Sequence, residues 1–190
     1  MLQGRADNIC RLGNEIAEYK RLGLKAVIVG FESGNQRVLD FIGKGTTVEQ
    51  NIEAAEILHR FGIKIVGNFM IGLPTETNGE IEDTVLLAKK IKPTIASCSF
   101  YAPMPGSDIY DYCLKNDLIL EKDYVHLSRD PRRPKIKGVD YIFATKALYQ
   151  IVGSRFKNPL IRKIVGYAYK NLQRGPAREI LTQVYNKIFR

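Results

Sequence analysis

Three short stretches of this 190-residue chain gather the residue types that hold a small polar ligand: residues 30–36, with Gly30, Glu32, Ser33, Gly34 and Asn35; residues 71–77, with Gly72, Thr75 and Glu76; and residues 101–107, with Tyr101, Pro103, Gly106 and Ser107. Glycine lets a backbone approach a ligand closely and take dihedral angles closed to other residues. A carboxylate accepts hydrogen bonds from ribose hydroxyls or from an ammonium group. Lys44, a short helix downstream of Glu32, adds a positive charge that can return to the same place. Both signs together suit a zwitterionic, ribose-bearing ligand. Each stretch also has a plainer use, since Gly-Leu-Pro forms turns and a carboxylate at a strand end caps the next helix.

All three stretches follow apolar runs rich in β-branched residues, at 26–31, 63–70 and 95–101, whose starts are 37 and then 32 residues apart. Such continuous runs are expected of parallel strands buried on both faces. Helical patterns fill the gaps. Thr46 with Glu49, and Thr77 with Glu80, have capping-box spacing. The first pair leads a stripe of Val48, Ile52, Ala55 and Leu58; the second leads Ile81, Val85, Ala88 and Ile91. Residues 35–42 read as a short helix carrying the chain toward Lys44. The pattern predicts consecutive βα units in a parallel sheet, whose ligands lie at the carboxyl ends of the strands. Ahead of the first long strand, Asp7 is placed to cap a helix through Ile9, Leu12, Ile16 and Tyr19, leaving only residues 1–4 for an earlier strand. The chain is therefore expected to begin inside an architecture, as the C-terminal part of something longer.

Charge divides the chain differently. Residues 1–130 hold 15 basic and 18 acidic side chains, and residues 131–190 hold 14 basic and 2 acidic, so the overall +9 resides in the second part. The sequence predicts two regions, 1–130 and a basic, helical extension at 131–190. Within the extension, stripes of Leu160, Ile161, Ile164, Val165, Ala168 and Leu172, then of Ile180, Leu181, Val184 and Ile188, predict two helices. These helices can pack on the first region and leave their basic residues in water. They can also meet an anionic membrane surface; nucleic acid is the less favoured partner, for want of a recognition motif. The longest uncharged run, 93–107, contains three prolines and cannot span a bilayer. With no secretory signal and three scattered cysteines, Cys10, Cys98 and Cys113, a disulfide framework is excluded and a cytoplasmic setting expected, membrane-peripheral if the extension binds lipid.

Hydrolytic chemistry finds no support. Ser33 lacks the G-x-S-x-G setting, His59 reads as a solvated helix-end residue, and His126 has no partner by spacing. Cys98 and Cys113 read as packed residues.

The strings GFESGNQRVLDFIGKGTTVEQN, NFMIGLPTET and FYAPMPGSDIYDYC, in this order, resemble the radical S-adenosylmethionine superfamily, and in particular its cobalamin-dependent subgroup. The resemblance runs from about Gly4 to about Asn116. It implies an α/β fold, the C-terminal half of a partial (β/α)6 TIM-like barrel carrying its last three strands. By resemblance, Glu32 and Ser33, beside Gly30, lie near the ribose and methionyl group of S-adenosylmethionine, and Lys44 matches a basic position that follows. Ile71, Gly72 and Glu76 match the motif that packs on adenine, with Asn68 in the same string. Tyr101 and Pro103 match the last strand end, and Arg5, with Asp7, the end of the strand before the first long one. The family binds a 4Fe-4S cluster through a CxxxCxxC loop; that loop is absent here, and so is the cobalamin domain common in the subgroup. The resemblance thus implies a fragment that contributes cofactor-binding strand ends and part of a pocket for a small or lipid-like substrate. It would be inactive without an N-terminal half that carries the cluster. The alternative is a nucleotide- or phosphate-binding module without redox chemistry.

Overall fold

A computed structural model describes residues 1–121 and 134–154. Four parallel strands, β1 (Leu2–Gly4), β2 (Ala26–Glu32), β3 (Lys64–Ile71) and β4 (Ile95–Phe100), pair in the order β1-β2-β3-β4. Between them run α1 (Ala6–Leu12), a single 3-10 turn and α2 (Ile16–Arg21); then α3 (Gln36–Phe41) and α4 (Val48–Arg60); then α5 (Asn78–Ile91). After β4 come α6 (Asp108–Lys115) and α7 (Tyr141–Val152). Parallel neighbours need crossovers of this length, and helices fill them.

Every long strand alternates buried with half-buried residues. Val27, Val29, Phe31, Ile65, Phe69, Ile71, Cys98 and Phe100 face the helices and form one core with Ala54, Leu58, Val85 and Ala88. The opposite side, with Gly30, Asn68 and Ser97 in one row across the sheet, is only half-buried among the described residues. The expectation of strands covered on both faces is met only in part: among the described residues the crossover helices cover one side, while on the other Met70 packs against the small cluster of Val38, Leu73, Tyr101, Cys113 and Ile136.

Helix starts show how side chains fix the path. Thr77 caps α5, accepting from the Glu80 amide while the Glu80 carboxylate accepts from the Thr77 amide. At α4 the capping box is Thr47 with Gln50, one residue beyond the expected Thr46 and Glu49. Two adjacent threonines followed by Glu and Gln allow both registers, and the glutamine amide serves as well as a carboxylate. Asp7 does not cap α1; the helix starts at Ala6, and Asp7 lies in its first turn, bonded to Arg5. Residues 135–152 return to the sheet. Ile136 bridges Ile119, and α7 buries Ala144, Ala147, Leu148 and Ile151 against α5 and β4, with Tyr141 edge-on to Phe100 at 5.2 Å. The two basic helices expected beyond Gly153, and His126, lie outside the described residues.

Candidate cofactor-binding site

The open half of the sheet ends in an ion pair. Lys44 Nζ donates to Glu32 Oε1 at 3.0 Å, and both side chains are largely enclosed, 18% and 24% exposed. Gly30 makes room for it: a Cβ there would overlap Glu32 Oε1 and stand 3.0 Å from Lys44 Nζ. Arg5, at the end of β1, reaches the same spot from the other side. Its guanidinium donates to both oxygens of Asp7 at 3.1 Å and to the carbonyls of Lys44 and Gly45 at 3.0 and 3.4 Å. Arg5 therefore clamps the backbone that carries Lys44. Asn68, the register partner of Gly30 on β3, faces the open side half-buried, beside Ser97.

A second cluster closes the end of β3. Gly72 takes φ +73°, and the chain turns so that Glu76 Oε2 accepts from the amides of Gly72 at 2.6 Å and Leu73 at 3.0 Å. Glu76 Oε1 is enclosed with no hydrogen-bond partner among the described residues. Burial raises the Glu76 pKa to about 7, against the two amides, which lower it. On the outer side Arg37 donates to Glu80 and to the Thr75 carbonyl, tying α3 to this turn and holding the Glu80 carboxyl down to about 2.

Other residues named from the sequence take different positions. Ser33 is fully buried, its hydroxyl 3.1 Å from that of Thr84 on α5. The Ile71 side chain is in the core, so only its backbone faces the strand end, where its carbonyl accepts from the Tyr101 amide at 2.9 Å. Tyr101 and Pro103 are buried beneath the open rim. The Arg5, Gly30, Glu32, Lys44 and Asn68 positions thus come together, while Gly72 and Glu76 form a neighbouring turn. Sequence reasoning missed Arg37 and Asn51, whose amide bonds the Phe31 carbonyl. An Asn inside an apolar helix stripe was the available signal. His59 is exposed at the end of α4, with Nε2 2.8 Å from the Ile91 carbonyl.

The cysteines sit apart. Cys10 on α1 donates to the Gln50 carbonyl, Cys98 is in the covered face of β4, and Cys113 is buried on α6. This donor set does not fit a cluster that needs three thiolates around one iron-sulfur unit. Among the described residues no three His, Cys, Asp or Glu side chains gather to hold a metal, and no helix is long and apolar enough to cross a membrane.

Residues 10–88 match the family described as "Radical SAM superfamily". This segment of the chain is similar to the radical SAM superfamily. It is 38% identical over 105 residues to an uncharacterised methyltransferase of Pyrococcus horikoshii, covering 55% of this chain and 23% of that protein. With the anaerobic magnesium-protoporphyrin IX monomethyl ester cyclase of Rubrivivax gelatinosus it shares 34% identity over 106 residues, 56% of this chain and 19% of the cyclase. A tRNA-2-methylthio-N(6)-dimethylallyladenosine synthase of Trichlorobacter lovleyi is 31% identical over 110 residues, 57% of this chain and 24% of that enzyme. The chain thus spans about a fifth to a quarter of the length of these relatives. Among solved structures, Methanocaldococcus infernus Elp3 superposes with a TM-score of 0.56 at 15% identity, over 90% of this chain and 40% of that one. This likeness shows that the α/β fold recurs in a larger protein.

Proposed function

We propose that this radical SAM segment supplies the S-adenosylmethionine-binding strand ends, and one wall of the substrate pocket, of an enzyme whose 4Fe-4S cluster is held by residues outside those described. The observation that carries this reading is the Glu32–Lys44 pair at the open end of β2, with Gly30 leaving the space above it. A zwitterionic methionyl group meets both its charges there: the Glu32 carboxylate accepts from an ammonium, and the Lys44 ammonium donates to a carboxylate. Arg5 holds Lys44 in place, Glu76 shapes the turn beside the site, and Asn68 offers an amide to the pocket wall. When bound at a reduced cluster, the cofactor supplies reductive cleavage chemistry. The segment's own residues bind and orient, and by themselves they carry out no such cleavage. Relatives named for a porphyrin ester and for tRNA are both similar to this chain, which supports a substrate set by parts of the protein outside these strands. Cobalamin as a further cofactor of the intact protein rests on the subgroup resemblance alone.

Titrating the chain with S-adenosylmethionine and with ATP by calorimetry tests the reading. Selective binding of S-adenosylmethionine is expected, weakened about tenfold or more by Glu32→Gln and by Lys44→Met, the scale of one lost charge-assisted hydrogen bond. Equal binding of both ligands, or variants that bind as the wild type does, would sink it.

A further inference from the structure

Asn51 lies on the inner face of α4 among Ala54, Ala55 and Leu58, and it is fully buried. Its Nδ2 donates to the Phe31 carbonyl at 3.1 Å, while its Oδ1 is enclosed with no hydrogen-bond partner among the described residues. An enclosed amide oxygen without a donor is a cost to folding, and an aliphatic residue at this position would avoid it. The one bond that Asn51 makes goes to an unusual place. The Phe31 carbonyl also accepts from the Ser33 amide at 2.8 Å, which closes a γ-turn centred on Glu32 with φ +59°. Positive-φ γ-turns are rare and strained, and they persist where the surroundings hold them.

The turn matters because of where it falls. The β2–β3 register shifts between Gly30 and Glu32, which brings Glu32 opposite Phe69. Regular strand alternation therefore no longer sets the direction of the Glu32 side chain; the turn does. We infer that Asn51 is a positioning residue: by anchoring the Phe31 carbonyl from inside the core, it holds the γ-turn that presents the Glu32 carboxylate to Lys44 and to the bound ligand. This rests on the reading of Glu32 as a cofactor-contacting group, and the bond to the strand end accounts for a polar residue on an otherwise apolar helix face.

Asn51→Leu removes the amide bond and the unpartnered oxygen together; Asn51→Ala does so without added bulk, where leucine does not fit. Three quantities are read in the full chain: thermal midpoint, amide hydrogen exchange at Ser33, and affinity for S-adenosylmethionine with and without Glu32→Gln. The expected result is a midpoint near that of wild type, Ser33 exchange about tenfold faster, and affinity about tenfold weaker. In the Glu32→Gln background the Asn51 substitution is expected to change affinity by less than about twofold, because it acts through that carboxylate. Unchanged Ser33 exchange, or losses that multiply in the double variant, would overturn the inference. If Glu32→Gln itself leaves affinity unchanged, the reading of Glu32 fails, and Ser33 exchange still decides whether Asn51 holds the turn.

Discussion

Burial and hydrogen bonding pull Glu76 in opposite directions, and burial prevails. Its pKa rises from 4.5 to about 7 on folding, so the folded chain holds the proton more tightly than the unfolded one does. The resulting stabilisation is fully present below 4.5 and is lost as pH rises through about 7, a swing of about 3 kcal/mol. Denaturant unfolding at about pH 5 and about pH 8 is expected to show this loss in the wild type and a much flatter profile in Glu76→Gln. A wild-type chain equally stable at both pH values would contradict the assignment. The sequence marked Glu76 as a site residue, but its two amide donors depend on Gly72 turning the chain back, which residue types alone do not specify. Glu32 was legible as a strand-end carboxylate; its γ-turn was not, because a positive φ at a glutamate is imposed by tertiary contacts.

Elements were more readable than residues. Strand positions followed from apolar runs, and α5 from its cap and stripe, because these are local signals. The covered side of the sheet was not legible, since apolar residues on both sides of a strand look alike until helices choose one. Helix α7 escaped notice for a related reason: YIFATKALYQIV is apolar nearly all round, so it shows no clean stripe, as befits a helix wedged against α5 and β4. One glycine reports how closely the strand-end loop and helix sit. A Cβ at Gly34 would overlap the Asp83 carbonyl in α5, which cannot yield as a flexible side chain can. Gly34→Ala is expected to destabilise the fold by about 3 kcal/mol or more, at the upper end of overpacking costs. Chemical denaturation checks this, and an unchanged midpoint would mean that the loop shifts freely.

At the scale of the whole molecule, the charge split separates the two questions the chain poses. The family match at residues 10–88 lies within the near-neutral part, and the charges of the described site are paired, as in Glu32 with Lys44 and Asp7 with Arg5, so the overall +9 carries no information about the ligand. The parallel α/β architecture was legible because repeated crossover spacing admits few topologies. Helix α7 adds a consequence for how the polypeptide can be divided. Its buried Leu148 and Ile151 belong to the same core as Val85 and Phe100, although the recognisable motifs end some thirty residues earlier. Leu148→Ala is expected to cost about 2–5 kcal/mol, measured by denaturant unfolding. A piece cut at residue 121 would keep every family motif and yet unfold without a sharp transition. The core that these strands share reaches at least Ile151, so the boundary of the packed core and the boundary of sequence kinship fall at different places in this chain.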